Sequence, residues 1–388
     1  MIRRRIFEEE HDIFRDSFRK WLQEHYAPHA ERYREQGVVD RELWLEAGKA
    51  GYLAMFVDEE YGGLGLEDYR YDQIIMEEQA RVDPSFFISL HNRIVAPYIH
   101  TLATEEQKQR FLPGICDGSC ILAIAMTEPG TGSDLAALRT RAEDKGDHWL
   151  LNGSKTYISN GQLADLVVVA AKTDNSSHGV GLLLVERGMD GFERGRNLKK
   201  VGLPGQDTSE LFFNDVKIPK ENVLGGTTDG FRNMMINLAE ERLGSAVAFT
   251  ARAERALEIT QDFIMERKAF GQPIGLFQNS RFKMAEMRTQ LDACWALVDH
   301  CVAEHLERQL SAELAAEAKL FTSEVEGRVV DECLQLHGGA GYMDEYEISH
   351  LYRDARISRI YAGTSEIMKE IIGRGMGLDD RKARKAKA

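Results

Sequence analysis

CILAIAMTEPGTGSD, residues 120–134, marks the point at which the periodicity of this chain changes. Residues 121–126 form an unbroken apolar run, and Pro129, Gly130 and Gly132 follow closely, as when a buried strand runs out into a loop. Upstream, residues 8–118 read as helix: Phe14, Phe18, Trp21 and Leu22 recur at steps of three and four, and Tyr71, Ile74, Ile75 and Glu78 repeat the spacing. The glycines of YGGLGLED, residues 61–68, suit a turn, and Pro113-Gly114 marks a helix end.

Downstream of the same point, residues 148–151, 157–158, 166–170, 180–185 and 211–213 read as short strands. Asn152-Gly153 carries a two-residue hairpin signal, because both residues tolerate positive φ; it would put Tyr157, Ile158 and Ser159 on the second arm. After Gly230 the helical period returns, with Arg242, Ala246, Phe249, Ala253, Ala256, Thr260 and Phe263 on one face through about Arg267. Further helices are expected over 279–308, 312–337 and 366–374, separated by turns at Gly338, Gly339 and Gly363. The expected architecture is α+β in three parts: a helical domain over 1–120, a β-barrel-like domain over 121–230 and a four-helix-bundle domain over 231–388.

Composition narrows the function. The chain has 388 residues, of which 43% are hydrophobic and 29% charged, enough to bury a large core in more than one domain. Its net charge of -14 repels phosphate backbones, so nucleic acid is not an expected partner. Cys116, Cys120, Cys294, Cys301 and Cys333 include no CxxC pair and no metal-ligand spacing, so no metal site is expected and reduced thiols are; Cys116 and Cys120 read as packing. The start lacks the apolar stretch of a secretory signal, and apolar runs such as 166–171 are too short to cross a bilayer, so a cytoplasmic protein with no membrane span is expected. The basic tail, 381–388, reads as a solvated terminus.

The chemistry must come from loops, because GxSxG, GxxxxGK[ST], HExxH and a strand-to-helix GxGxxG are all missing. MTEPGTGSD (126–134) gathers Thr127, Thr131 and Ser133 beside glycines, which also fits a plain surface turn. YISN (157–160) fits a buried tyrosine with a satisfied serine, and RKAFGQPIGLFQ (267–278) fits a helix C-terminus stopped by Gly271 and Pro273. The stripe Met234, Met235 and Phe249 reads as core, and His91, His100 and His337 as structural or surface residues.

Taken in order with QLHGGAGY (335–342) and RDARISRIYAGTSEIMKEIIGR (353–374), these motifs make the chain resemble the acyl-CoA dehydrogenases along nearly its whole length. The resemblance implies FAD. It implies that Ile124, Met126, Thr127, Gly132 and Ser133, with Tyr157, Ile158 and Ser159, hold the flavin ring, Ser159 lying near N5 and Ser133 also meeting the CoA thioester. Arg267, Phe270, Gln278, Gln335, Leu336, Gly338 and Gly339 would reach the pyrophosphate and adenosine of an FAD held mainly by a neighbouring subunit, while Thr364 and Glu366 follow the flavin-binding turn. An oligomer, a tetramer in particular, is therefore implied.

Removing the α proton of an acyl thioester requires a carboxylate in a dry pocket, tuned toward working pH. Many members of the family carry that Glu just before the Gly-Thr of the last motif, where this chain has Ala362. Members resembling the long-chain and isovaleryl enzymes place it before an Arg on the first long C-terminal helix, and LAEERLGSA (238–246) puts Glu241 before Arg242 at that place. The alternative is that Glu240 and Glu241 are solvated residues favoured by a helix N-terminus. Ala362 would still act through its backbone N–H, as an oxyanion donor beside a ribityl hydroxyl of FAD, which would accept hydride at N5. Arg232, Ala239, Glu241, Arg242, Ala362, Gly363 and Ser133 are the implied substrate contacts; Ala239 and Tyr157 depart from residues common among relatives.

The opening RRRIFEEEHDIFR and the segments VDEEYGGLG and YAGTSEIMKEIIGR are most similar to the long-chain acyl-CoA dehydrogenases. The expected reaction is dehydrogenation of a long-chain acyl-CoA to trans-2-enoyl-CoA in fatty-acid β-oxidation, with an electron-transfer flavoprotein as acceptor. A branched-chain enzyme of the isovaleryl or citronellyl type is the alternative, followed by an acyl-CoA oxidase and a non-catalytic flavin- or CoA-binding relative.

Overall fold

The computed structural model describes residues 2–174, 176 and 179–379; the basic tail at 381–388 lies outside them. The first part of the chain forms α1 (Glu9–Trp21), α2 (Ala30–Gln36), α3 (Arg41–Lys49), α4 (Tyr69–Val82), α5 (Ala96–Leu102) and α6 (Glu105–Asp117). The start of α6 is a capping box: Thr104 Oγ1 accepts from Gln107 N at 3.3 Å, and Gln107 Oε1 accepts from Thr104 N at 2.9 Å. Its end is Gly118, at φ 82°, where a Cβ would lie 2.2 Å from the Trp44 carbonyl oxygen of α3.

The middle of the chain is β1 (Leu122–Ala125), β2 (Arg141–Asp144), β3 (His148–Ser159), β4 (Leu166–Lys172), β5 (Val180–Glu186), β6 (Phe192–Asn197), β7 (Thr208–Pro219) and β8 (Val223–Leu224). They form one sheet in the order β6-β7-β3-β2-β4-β5-β8, with β1 parallel to β4. β4 and β5 are buried on both faces, which is why their sequences read as continuous apolar runs. Leu166, Val168, Ala170, Leu182 and Leu184 join a core with Tyr98, Phe111, Leu112 and Ile115 of α5 and α6. Val167, Val169, Leu183 and Val185 point the other way, into a core with Trp149, Leu151, Phe213 and Ile218.

Beyond the sheet come α7 (Gly230–Glu266), a two-stranded ribbon of β9 (Lys268–Ala269) and β10 (Gln272–Pro273), then α8 (Gln278–Leu306), α9 (Ala312–His337), α10 (Glu347–Ala355) and α11 (Ser365–Gly375). The whole is an α+β chain, helical, then β, then helical, as expected. By packing it divides into two compact units, one of residues 20–68 and 83–238, the other of 2–19, 69–82 and 239–379. In the second unit α4, α7, α8 and α9 share a core of Tyr69, Met76, Leu243, Val247, Trp295, Val298 and Ala318. Ala253, Met287, Leu291, Val325, Val329 and Ile348 continue the bundle toward α10.

Four local expectations are corrected. Asn152-Gly153 makes no hairpin: β3 runs straight through it, and the register against β7 shifts there instead, with the Asn152 side chain bonded to Asp215. Gly153, at φ 145°, uses its freedom for a bulge, and long pairing with β7 on both sides of it outweighs the local turn preference. Pro113-Gly114 does not end a helix, since burial of Phe111, Leu112, Ile115 and Cys116 carries α6 through to Gly118. Glu240 and Glu241 are not near a helix N-terminus, because α7 begins at Gly230, about three turns earlier. Met235 is exposed, whereas Met234 and Phe249 are core.

Candidate active site

In the unit that contains the sheet, β1 delivers the chain into the loop 126–134. Glu128 N donates to Thr131 O at 2.8 Å and Thr131 N to Glu128 O at 3.0 Å, closing a turn over Pro129-Gly130. The Glu128 carboxylate lies underneath, accepting from Arg139 N at 2.7 Å, Thr140 N at 2.9 Å and Lys155 Nζ at 2.9 Å. Lys155 Nζ also donates to Met126 O at 3.0 Å, and Thr156 N to Thr127 O at 2.9 Å. Burial drives the Lys155 pKa down to about 8 against the pull of Glu128. Burial would raise the Glu128 carboxyl, but the bond and charge of Lys155 prevail and hold it below its ordinary value.

This pair joins two of the motifs read from the sequence. Lys155 sits on β3, just before a second register shift at 155–158 that throws Tyr157 to φ 59° and leaves it 70% exposed. Ile124, Met126, Thr127 and Ser159 are half-buried, Gly132 and Ser133 are exposed, and a Cβ at Gly130 or Gly132 would meet open space. Ile158 points into the core, so its backbone alone is available to a ligand. Arg232 is exposed at the start of α7. Glu128 and Lys155 were missed by sequence reasoning; the signal was a lysine at an inward position of an alternating strand.

The second unit holds the acid–base candidates. Glu241 and Arg242 are both buried on α7, 9% and 6% exposed, while Ala239 is half-buried. Burial lowers the Arg242 pKa and Glu241 opposes it; Arg242 Nε has no hydrogen-bond partner among the described residues. A buried guanidinium nitrogen left open is a place for a ligand acceptor. His305 Nε2 lies 3.5 Å from Glu240, so Glu240 belongs to a different contact.

Beside this part of α7 runs the segment 358–364. Tyr361 stacks on Phe249, ring centroids 5.8 Å apart, and Arg252 Nη2 donates to Ser358 Oγ at 3.1 Å. Ala362 and Gly363 follow at φ 52° and 91°, two consecutive left-handed residues, with Lys319 Nζ donating to Gly363 O at 2.5 Å. Burial first, and then the charge of Arg242, lower the Lys319 pKa to about 8. The structure thus brings Arg242 of α7 and the Ala362 turn into one neighbourhood. Thr364 caps α11, accepting from Ile367 N at 3.3 Å, and Glu366 is exposed in the first turn of that helix.

The remaining predicted residues cluster at another end of the bundle. Phe263 of α7 stacks on His337 of α9 at 4.2 Å, which places the segment after α7 near the end of α9. Arg267 and Gln278 are exposed, and Phe270, on the ribbon at φ 51°, is 96% exposed. Gln335, Gly338 and Gly339 are exposed with open space over both glycines, whereas Leu336 packs on the core. His91 and His337 bond backbone carbonyls and His100 bonds Asp58, so all three have structural partners.

These features fit a flat aromatic cofactor with a diphosphate: exposed aromatics on polar turns, open glycines, and hydroxyls and backbone N–H groups at loop ends. Family models for the acyl-CoA dehydrogenase N-terminal, middle and C-terminal domains match residues 8–119, 123–216 and 228–377. The chain is 46% identical to the mitochondrial long-chain specific acyl-CoA dehydrogenase of Sus scrofa, over 96% of this chain and 87% of that protein. It is 36% identical to the mitochondrial isovaleryl-CoA dehydrogenase of Pongo abelii, over 96% and 89%. The crystal structure of an acyl-CoA dehydrogenase from Geobacillus kaustophilus superposes with a TM-score of 0.95 at 46% identity, covering 96% of this chain and 99% of that one. The chain belongs to the acyl-CoA dehydrogenase family, and it is an FAD-dependent acyl-CoA dehydrogenase.

Proposed function

We propose that this enzyme converts long-chain acyl-CoA thioesters to trans-2-enoyl-CoA, with Glu241 as the base. The observation that carries the reading is Glu241 itself, a buried carboxylate about three turns into α7 next to a buried Arg242 with an open Nε. Glu241 takes the α proton onto its carboxylate. The Ala362 N–H, presented by a left-handed turn, holds the thioester oxygen as it gains negative charge. FAD, when bound, supplies the hydride acceptor for the β carbon. Ile124, Met126, Thr127, Gly132, Ser133 and the 157–159 backbone would hold its ring.

Long-chain specificity is supported by 46% identity to the long-chain relative against 36% to the isovaleryl one. The resemblance implies the same base position for both kinds, so a branched substrate is the second reading. The exposure of Arg267, Phe270, Gln278, Gln335, Gly338 and Gly339 in a single chain supports a homo-oligomer, a tetramer, in which they reach a neighbour's FAD. Five cysteines outside any disulfide support a reducing, cytoplasmic setting, and family resemblance supports an electron-transfer flavoprotein as acceptor in β-oxidation. Among the described residues no helix is long and apolar enough to cross a membrane.

Anaerobic titration with palmitoyl-CoA should bleach the flavin band of the wild type, and Glu241→Gln should keep FAD but lower kcat by about 10³-fold. Bleaching by isovaleryl-CoA alone would move the assignment to branched substrates, and full turnover in Glu241→Gln would remove the base.

A further inference from the structure

The turn 361–364 is strained as well as exposed to chemistry. A non-glycine residue in the left-handed region costs about 1–2 kcal/mol, so Ala362 at φ 52° persists only if its surroundings fix it. Gly363 follows at φ 91°, with no room for a side chain: a Cβ there would lie 2.6 Å from Met368 Cε.

α9 supplies the fixing groups. Upstream of the turn, Glu326 Oε1 accepts from Arg252 Nε at 2.7 Å, and its other oxygen accepts from the Ser358 hydroxyl. Downstream, Ser365 Oγ donates to Glu324 Oε1 at 2.9 Å. Between these anchors stands Lys319, two turns before Glu326 on the same face and 0% exposed, with Nζ on the Gly363 carbonyl. No carboxylate lies within ion-pairing distance of that ammonium among the described residues, and a buried charge without a direct counterion is expensive to keep. Burial and the charge of Arg242 lower its pKa to about 8, with Glu324, Glu326 and Glu366 opposing them, so it is mainly charged near neutrality. An ammonium retained at such a cost, with its hydrogen bond directed to the carbonyl next to Ala362, is more than a packing group.

We propose that Lys319 is a positioning residue: by gripping the Gly363 carbonyl it holds the Ala362–Gly363 turn in the orientation that presents the Ala362 N–H to the substrate oxygen. This rests on the reading of Ala362 as an oxyanion donor. Lys319 touches neither substrate nor FAD in this role. Its removal leaves the binding surfaces in place and blurs the direction of one donor, so the loss falls on kcat more than on KM.

The test uses the FAD-loaded enzyme and product enoyl-CoA labelled with ¹³C at the carbonyl, read by infrared difference spectroscopy alongside steady-state kinetics. In the wild type the bound carbonyl stretch should shift to lower frequency than in free enoyl-CoA. In Lys319→Met that shift should shrink and kcat fall by about 10²-fold with KM little changed, the cost of a misplaced group. Lys319→Arg, which keeps a charged donor at an altered distance, should recover part of both. A Lys319→Met enzyme with the wild-type shift and kcat overturns the positioning role. No shift in the wild type overturns the oxyanion reading of Ala362, and this proposal with it. If Lys319→Met fails to hold FAD or to fold, Lys319→Gln, shorter and uncharged, decides: a lowered kcat with a reduced shift supports the role, and wild-type values of both overturn it.

Discussion

Lys155→Met tests whether the loop 126–134 is held by one buried ion pair. In the wild type Lys155 Nζ makes bonds of 2.9 Å to Glu128 and 3.0 Å to Met126 O, and the Glu128 side chain is 5% exposed. Removing one partner of a buried pair costs about 3–5 kcal/mol, because the other charge is left without compensation. Glu128 keeps the N–H groups of Arg139 and Thr140, which places the expected loss near the lower end, about 3 kcal/mol. The loss should depend on pH. Without its cation the Glu128 carboxyl has a folded pKa above its unfolded one, so the variant is least affected in acid and loses stability as pH rises through that folded value. In the wild type the Glu128 pKa lies below its ordinary value, so its contribution is present above the ordinary carboxylate range and lost in acid. Thermal unfolding and FAD release of the loaded enzyme should therefore show a small gap between variant and wild type near pH 5 and a larger one near pH 7, below the Lys155 value of about 8. Adding Glu128→Gln should recover part of it. An equal gap at both pH values, or no recovery in the double variant, would refute the reasoning.

Asp207, 2% exposed and accepting from Gln162 N at 2.7 Å, has its pKa pushed up to about 6, mainly by burial. Its folded value exceeds its unfolded one, so its contribution to stability is full below about pH 4 and lost as pH rises through 6. Asp207→Asn should flatten that window and stabilise the protein at pH 7 by up to about 3 kcal/mol in denaturant titrations; no gain would contradict the burial argument. Ala362→Gly should keep kcat, since the N–H remains, and relieve about 1 kcal/mol of left-handed strain, whereas Ala362→Val should lower both stability and kcat. Equal kinetics in the glycine and valine variants would show that the turn conformation is irrelevant to catalysis.

The order helical, β, helical was legible because each period is written in side chains that must face a core: the α9 bounds, 312–337, are those read from the sequence. Where two local signals competed, sequence reasoning failed in a definite way. Asn152-Gly153 prefers a hairpin in isolation, but the ladder between β3 and β7 extends beyond it on both sides and turns it into a bulge. The short strands β2 and β6 carry polar, half-exposed residues and left no apolar pattern to find.

The sequence by itself determined the fold class, the five motifs and the substitution of Ala362 that directs attention to Glu241, because these depend on residue type and order. Tertiary structure decided which charges are buried together. Lys155 with Glu128, Arg252 with Glu326, and Lys319 with the Gly363 carbonyl are each separated by more than 25 positions in the chain. No local propensity reports such pairs: their attraction is strong only where water is excluded, and only the packed chain excludes it.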